Sequence, residues 1–215
     1  MTSRKLVQLF FKTLLLGGAA GLLASFFIEW QQYANVLRPF DLMEVIGLLV
    51  FFTGLGFVFS AVSQTGFFAY LFINQFGLGM FRSYWKLVQV ALIAFVVFDL
   101  VYFPYKDAEG KISVFLFIAI AAGILLYGWI IASIKAKQTN PRAFLPALFL
   151  MVVMTTLEWV PGLRVSGYEY AFLMIIPLLV CNTYQLLILH KLSAGTESNK
   201  KQQLDKRNMQ KAAKA

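Results

Sequence analysis

The sequence predicts an all-α fold, a polytopic membrane helix bundle of about six transmembrane helices ending in a basic tail. Three observations carry this. The 215-residue chain is 60% hydrophobic and 13% charged, whereas soluble domains run at about 45–50% and about 25%. A mean hydropathy of +0.72 leaves apolar surface that a water-soluble fold could not bury, and it excludes a disordered chain as well. The apolar residues also gather into runs close to the ~20 residues a membrane-crossing helix needs. Six such runs take about 120 residues, which leaves short loops and no room for a separate catalytic domain.

The expected spans follow in order. The first runs from Leu6 to Ile28, interrupted by Lys12 and preceded by Arg4 and Lys5. It continues past Ala19 and Ala20 to Phe26-Phe27-Ile28, longer than the apolar region of a signal peptide, so it is expected to stay uncleaved. The others are expected at 43–62, 87–103, 112–134, 143–160 and 168–189. Residues 1–192 then form one integral membrane domain, and 193–215 a disordered, lysine-rich cytoplasmic tail.

Residues 64–80 fit this scheme least well. They are apolar and aromatic, but contain Gln64, Asn74 and Gln75 and glycines at 66, 77 and 79. With six spans and an inner N-terminus, 15 of the 19 basic residues lie inside, and only Arg38, Lys106, Lys111 and Arg164 lie outside. A seventh span through 64–80 divides them 13 to 6 at best. The positive-inside rule favours six. The segment is then expected to be a cytoplasmic-side interfacial or re-entrant helix, or an extension of span two. Most acids fall on the outer side: Glu29, Asp41, Glu44, Asp99, Asp107, Glu109, Glu158 and Glu169.

Candidate functional residues are few. Asp99 and Glu158 sit a few residues inside the outer ends of spans three and five. Carboxylates within a span point by default to function, here a proton, cation or ligand site. Their nearness to the ends, beside Tyr102 and Trp159, favours instead two carboxylates at headgroup level. Gln89, Asn182 and Gln185 are amides suited to interhelical hydrogen bonds of about 0.6–2 kcal/mol, with substrate coordination as the alternative; Gln64, in the 64–80 segment, is a further functional candidate. Gly17, Gly21 and Ser25 recur every four residues, as do Ala119 and Gly123, a spacing that lets helix backbones approach. Packing within the chain is the first expectation and a partner interface the second. Pro146 and Pro177 are candidate kinks.

Cys181 is the only thiol and His190 the only imidazole, so neither an internal disulfide nor a multi-ligand His/Cys metal site can form. Cys181 reads as core and His190, beside Lys191, as interfacial. No protease, hydrolase or phosphate-loop motif occurs, so no catalytic residue, cofactor or metal is expected. In the tail, Lys200, Lys201, Lys206 and Arg207 are expected to contact anionic lipid or a cytosolic partner. The net charge of +9 is therefore ascribed to topology and lipid, not to nucleic acid.

Three stretches, Ser63-Gln-Thr-Gly-Phe-Phe-Ala-Tyr70, Phe76-Gly-Leu-Gly-Met-Phe-Arg-Ser83 and Phe98-Asp-Leu-Val-Tyr-Phe103, together resemble the KinB-signalling pathway activation proteins. The opening Ser3-Arg-Lys-Leu-Val-Gln-Leu-Phe-Phe11 and Glu158-Trp-Val-Pro-Gly162 add to the likeness, which runs over residues 1–190. The resemblance implies a multi-pass plasma-membrane protein of spore-forming bacteria, acting upstream of a sensor histidine kinase in the sporulation phosphorelay. It brings no catalytic residues. The leading expectation is thus a non-enzymatic accessory protein of a membrane sensor kinase, of unknown oligomeric state. The alternative is a small ion-coupled transporter or lipid-handling protein using Asp99 and Glu158, which would require both carboxylates to face one internal cavity.

Overall fold

The computed structural model describes residues 3–37, 40–107, 113–164 and 169–189. These are almost entirely helical, and the one pairing of extended backbone among them is an isolated bridge between Leu37 and Phe40. The elements are α1 (Ser3–Ile28), α2 (Trp30–Val36), α3 (Leu42–Phe81), α4 (Trp85–Asp107), α5 (Val114–Gln138), α6 (Phe144–Phe149), a π-helical turn (Leu150–Met154), α7 (Thr155–Arg164) and α8 (Glu169–Leu189). Five helical stretches are long and apolar enough to cross a membrane: Arg4–Ile28, Leu42–Lys106, Val114–Gln138, Pro141–Leu163 and Glu169–Leu189. The second holds both α3 and α4, where two spans were expected. The tail from 193, with Lys200, Lys201, Lys206 and Arg207, lies outside the described residues, as does His190.

Residues 64–80 belong to α3, which runs unbroken for 40 residues, about 60 Å at 1.5 Å per residue. Of the three expectations for this segment, the extension of span two is the one found. The chain does not fold back here, nor does it form a separate interfacial helix. Asp41 starts α3 by accepting hydrogen bonds from the Met43 and Glu44 amides at 2.8 and 3.4 Å, which satisfies donors that a helix start leaves without partners. Two of the glycines that argued for a break are points of close approach instead. A Cβ on Gly77 would lie 2.4 Å from the Trp85 ring, and one on Gly66 would overlap the Glu158 carboxyl.

α3 stops at Arg82, whose φ of 45° is outside the range of a right-handed helix. A 3-10 turn, Arg82–Tyr84, follows. The corner is held by side chains. Trp85 stacks on Phe81 with ring centroids 6.0 Å apart, and its indole N–H donates to Asn74 Oδ1 at 3.0 Å. Gln89 Nε2 donates to the same oxygen at 3.4 Å. Asn74 therefore serves the corner as an acceptor, which explains a polar residue in an otherwise apolar segment.

The stretch α6–π turn–α7 occupies the centre. Leu150, Met151 and Val152 are fully buried, and α3, α4 and α5 all pack against this segment. A helix that is apolar all round belongs in such a place. The surrounding helices turn large apolar side chains outward, among them Phe27, Met43, Phe115 and Phe76. α1 lies along α3 through small residues. A Cβ on Gly21 would come within 2.7 Å of Gly56 Cα, and one on Gly17 within 2.4 Å of Ser60 Cβ. Ser25, fully buried, donates to Leu22 O at 2.7 Å and shares a hydrogen bond with the Tyr33 hydroxyl at 2.8 Å, which ties α2 to α1. Ala119 and Gly123 do otherwise. Both are exposed on α5, and a Cβ on Gly123 would meet nothing within 4 Å. The expectation that they pack within the chain is therefore corrected: their spacing permits close approach, but among the described residues no helix meets Gly123.

Candidate functional site: a buried polar cluster around Glu158

Three helices bring polar residues to one place by the same device, two or three polar side chains spaced three or four residues apart. α3 supplies Ser60, Ser63 and Gln64, α7 supplies Thr155 and Glu158, and α8 supplies Asn182 and Gln185. Residues three or four apart share a helix face, so each pair reads inward together. All seven are buried.

Asn182 is the hub. Its Nδ2 donates to Glu158 Oε2 at 2.7 Å and to Thr155 Oγ1 at 2.9 Å. Its Oδ1 accepts from Ser63 Oγ at 2.8 Å. Ser63 Oγ in turn accepts from Gln185 Nε2 at 2.9 Å, and Gln185 also donates to Cys181 O at 3.3 Å. Thr155 Oγ1 donates to Leu150 O at 3.2 Å, five residues back across the π turn. A second line leads to α1. Gln64 Nε2 donates to Ser60 Oγ at 3.3 Å, and Ser60 Oγ donates to Thr13 O at 2.9 Å. The Cys181 thiol lies 3.7 Å from that same carbonyl.

One member is not satisfied. Glu158 Oε1 is buried and has no hydrogen-bond partner. It sits over Gly66, where any side chain on α3 would collide with it. The Thr156 hydroxyl is the other buried side-chain oxygen in this position among the described residues.

Glu158 is 7% exposed, so its carboxyl is enclosed by the bundle and does not lie on an outer surface. The reason is directional. Helical side chains lean toward the N-terminus of their helix. Glu158 stands in the first turn of α7 and leans back toward Thr155, where the Asn182 amide bridges the two. Trp159 anchors the same turn from the other side, its indole N–H donating to Ala171 O at 2.7 Å. Asp99 is only half-buried on α4, and no hydrogen bond joins it to Glu158 or to the cluster. No hydrogen-bonded site joins the two carboxylates among the described residues, so the shared cavity that the transporter alternative required gains no support. The amides Gln64, Asn182 and Gln185 meet here, while Gln89 serves the Asn74 corner. Ser63, Thr155 and Ser60 were not singled out in the sequence, although the three-residue spacing with their neighbours was the available signal.

Lys135, also buried, donates to Leu186 O on α8, one residue beyond Gln185. Tyr127 on α5 shares a hydrogen bond with Thr183 at 2.9 Å. α8 is thus bonded by side chains to α3, α5 and α7.

Comparison with known proteins adds the family. Residues 17–192 match the family described as KbaA, KinB-signalling pathway activation in sporulation. A curated relative, the KinB-signaling pathway activation protein of Bacillus subtilis (strain 168), is 39% identical over 198 residues, covering 90% of this chain and 100% of the relative. No solved structure matches the chain. With the match spanning α1 to α8 and every residue of the polar cluster from Ser60 to Gln185, the chain belongs to the KinB-signalling pathway activation family.

Proposed function

We infer that this protein is a non-catalytic, multi-pass component of the bacterial plasma membrane that promotes activation of a KinB-type sensor histidine kinase at the head of the sporulation phosphorelay. The full-length match to the Bacillus subtilis activation protein is the observation that carries this reading. Long apolar helices with outward-facing Phe, Leu and Met side chains support the membrane location. The concentration of Arg4, Lys5, Lys12, Arg82, Lys86, Lys135, Lys137 and Arg142 toward one side supports a topology with both termini in the cytoplasm. Helix–helix contact in the bilayer, or contact through the basic cytoplasmic ends, is the route by which a kinase is reached.

The test is replacement of the Bacillus subtilis relative by this chain. Expected outcomes are restored sporulation that depends on the kinase gene, and recovery of the kinase with this protein from solubilised membranes. Normal membrane levels without any restoration would overturn the reading. Reporter fusions should place Thr196 inside the cell, and removal of residues 200–215 should leave the protein in the membrane fraction, since the apolar helices do not need the tail for insertion.

A further inference from the structure

The Glu158 carboxyl has no counter-charge. Among the described residues no Lys or Arg reaches it, and its sole hydrogen-bond donor is the neutral Asn182 amide. An ionised carboxylate taken out of water costs several kcal/mol unless it is paired, and in the interior of a membrane bundle an unpaired one is not sustained. Hydrogen-bonding capacity makes the same point. A bare carboxylate offers two oxygens to donors, yet Oε1, which lies over Gly66, has none. Something positive belongs at this carboxyl.

Neutral oxygens of the kind that hold hard monovalent cations are joined to it through the Asn182 amide. Thr155 Oγ1 and Glu158 Oε2 share the Asn182 amide, and Asn182 Oδ1 and Ser63 Oγ lie one bond further on. We propose that Glu158 and these oxygens, brought together from α3, α7 and α8, form a buried site for one small monovalent cation, a proton or a sodium ion. The titratable groups on the packed faces are the Cys181 thiol of α8 and, one turn along α3 from Gly66, the Tyr70 phenol; neither hydrogen-bonds to Glu158. Asp99 of α4 has no bond to the cluster. The site stands whether or not a kinase is the partner.

The experiment uses the full chain purified in lipid nanodiscs. Thermal unfolding is followed as sodium chloride replaces choline chloride at constant ionic strength, and infrared spectra are recorded across the pH range. If sodium is the occupant, the unfolding temperature rises saturably with sodium and the rise is lost in Glu158→Gln. If the proton is, sodium has no effect, and wild-type protein shows a protonated-carboxyl stretch at neutral pH that is absent from Glu158→Gln. Either result supports the site and names its occupant. An ionised Glu158 at neutral pH together with indifference to sodium overturns it. So does a sodium response that Glu158→Gln retains. Should Glu158→Gln not fold, Glu158→Asp, which keeps the carboxyl but shortens it, takes its place: the carboxyl stretch or the sodium midpoint must shift, and an unchanged one overturns the site.

Discussion

Gly17 and Gly21 on α1 and Ala119 and Gly123 on α5 carry the same four-residue spacing of small residues, and the fold treats them in opposite ways. On α1 the spacing meets its counterpart on α3, where Gly56 and Ser60 are also four apart, and the backbones close to contact. On α5 the pair faces outward with nothing opposite. Small residues remove an obstacle to helix approach without supplying attraction. What selects the α1–α3 pairing is the second set of small residues, together with the Ser60 hydroxyl, which donates to the Thr13 carbonyl across the contact.

Breaking the close contact should have the largest effect. Gly21→Leu must push α1 away from Gly56, against backbone that cannot yield, and overpacking of this kind costs about 1–3 kcal/mol or more. The expected outcome is a clear drop in unfolding temperature and a loss of monodisperse protein in detergent; an unchanged melting curve would mean that α1 is not packed on α3 as described. Next comes the polar cluster, which holds its helices by hydrogen bonds. Asn182→Ala removes three bonds and leaves Glu158 without its donor. At an average of about 0.6 kcal/mol and at most about 1.7 kcal/mol for such bonds in membranes, a loss of one to a few kcal/mol is expected by reversible unfolding, and a neutral result would show the cluster to be slack.

The outward pair gives the control. Gly123→Leu should change stability by no more than about 0.5 kcal/mol. If it abolishes pathway activation while protein levels hold, the α5 face belongs to a partner. The smallest effect is expected at the far end of the α1–α3 contact. Burial, and then repulsion from Glu169, raise the Glu29 pKa, with the Gln32 hydrogen bond opposing them. A carboxyl that holds its proton more tightly when folded favours the folded state at acid pH and loses that advantage as pH rises through its folded pKa. Glu29→Gln should therefore stabilise the protein slightly at neutral pH and leave it unchanged in acid, as a pH series of unfolding temperatures would show.

The helices themselves are legible in the sequence because hydropathy and length are local properties. Residues 64–80 are not, since a glycine or amide in an apolar run signals either a break or a contact. Trp85 and Glu158, which meet Gly77 and Gly66, decide between the two, and Glu158 comes from a distant part of the chain. The enclosure of Glu158 is hidden for another reason. Counting residues from a span's end locates the Cα along the helix, whereas burial depends on the face that the carboxyl shares with Thr155 and on the helices packed there. The polar pairs Thr155/Glu158 and Asn182/Gln185 could have been matched by spacing, but not assigned to one cluster without knowing which helices are neighbours. Nothing in Leu150–Met154 marks it as the place where the helix widens.

The length of α3 has a mechanical consequence. Its contact with α1 at Gly56 lies well toward the Leu42 end, which leaves about 37 Å of rigid helix between that point and Phe81. Used as a pivot, Gly56 turns α3 into a lever with a long arm: a tilt of about 5° would carry the Arg82 corner through about 3 Å. Gly66 rides on that arm against the Glu158 carboxyl, so an event at the polar cluster would be read out, magnified, at the basic corner of Arg82 and Lys86.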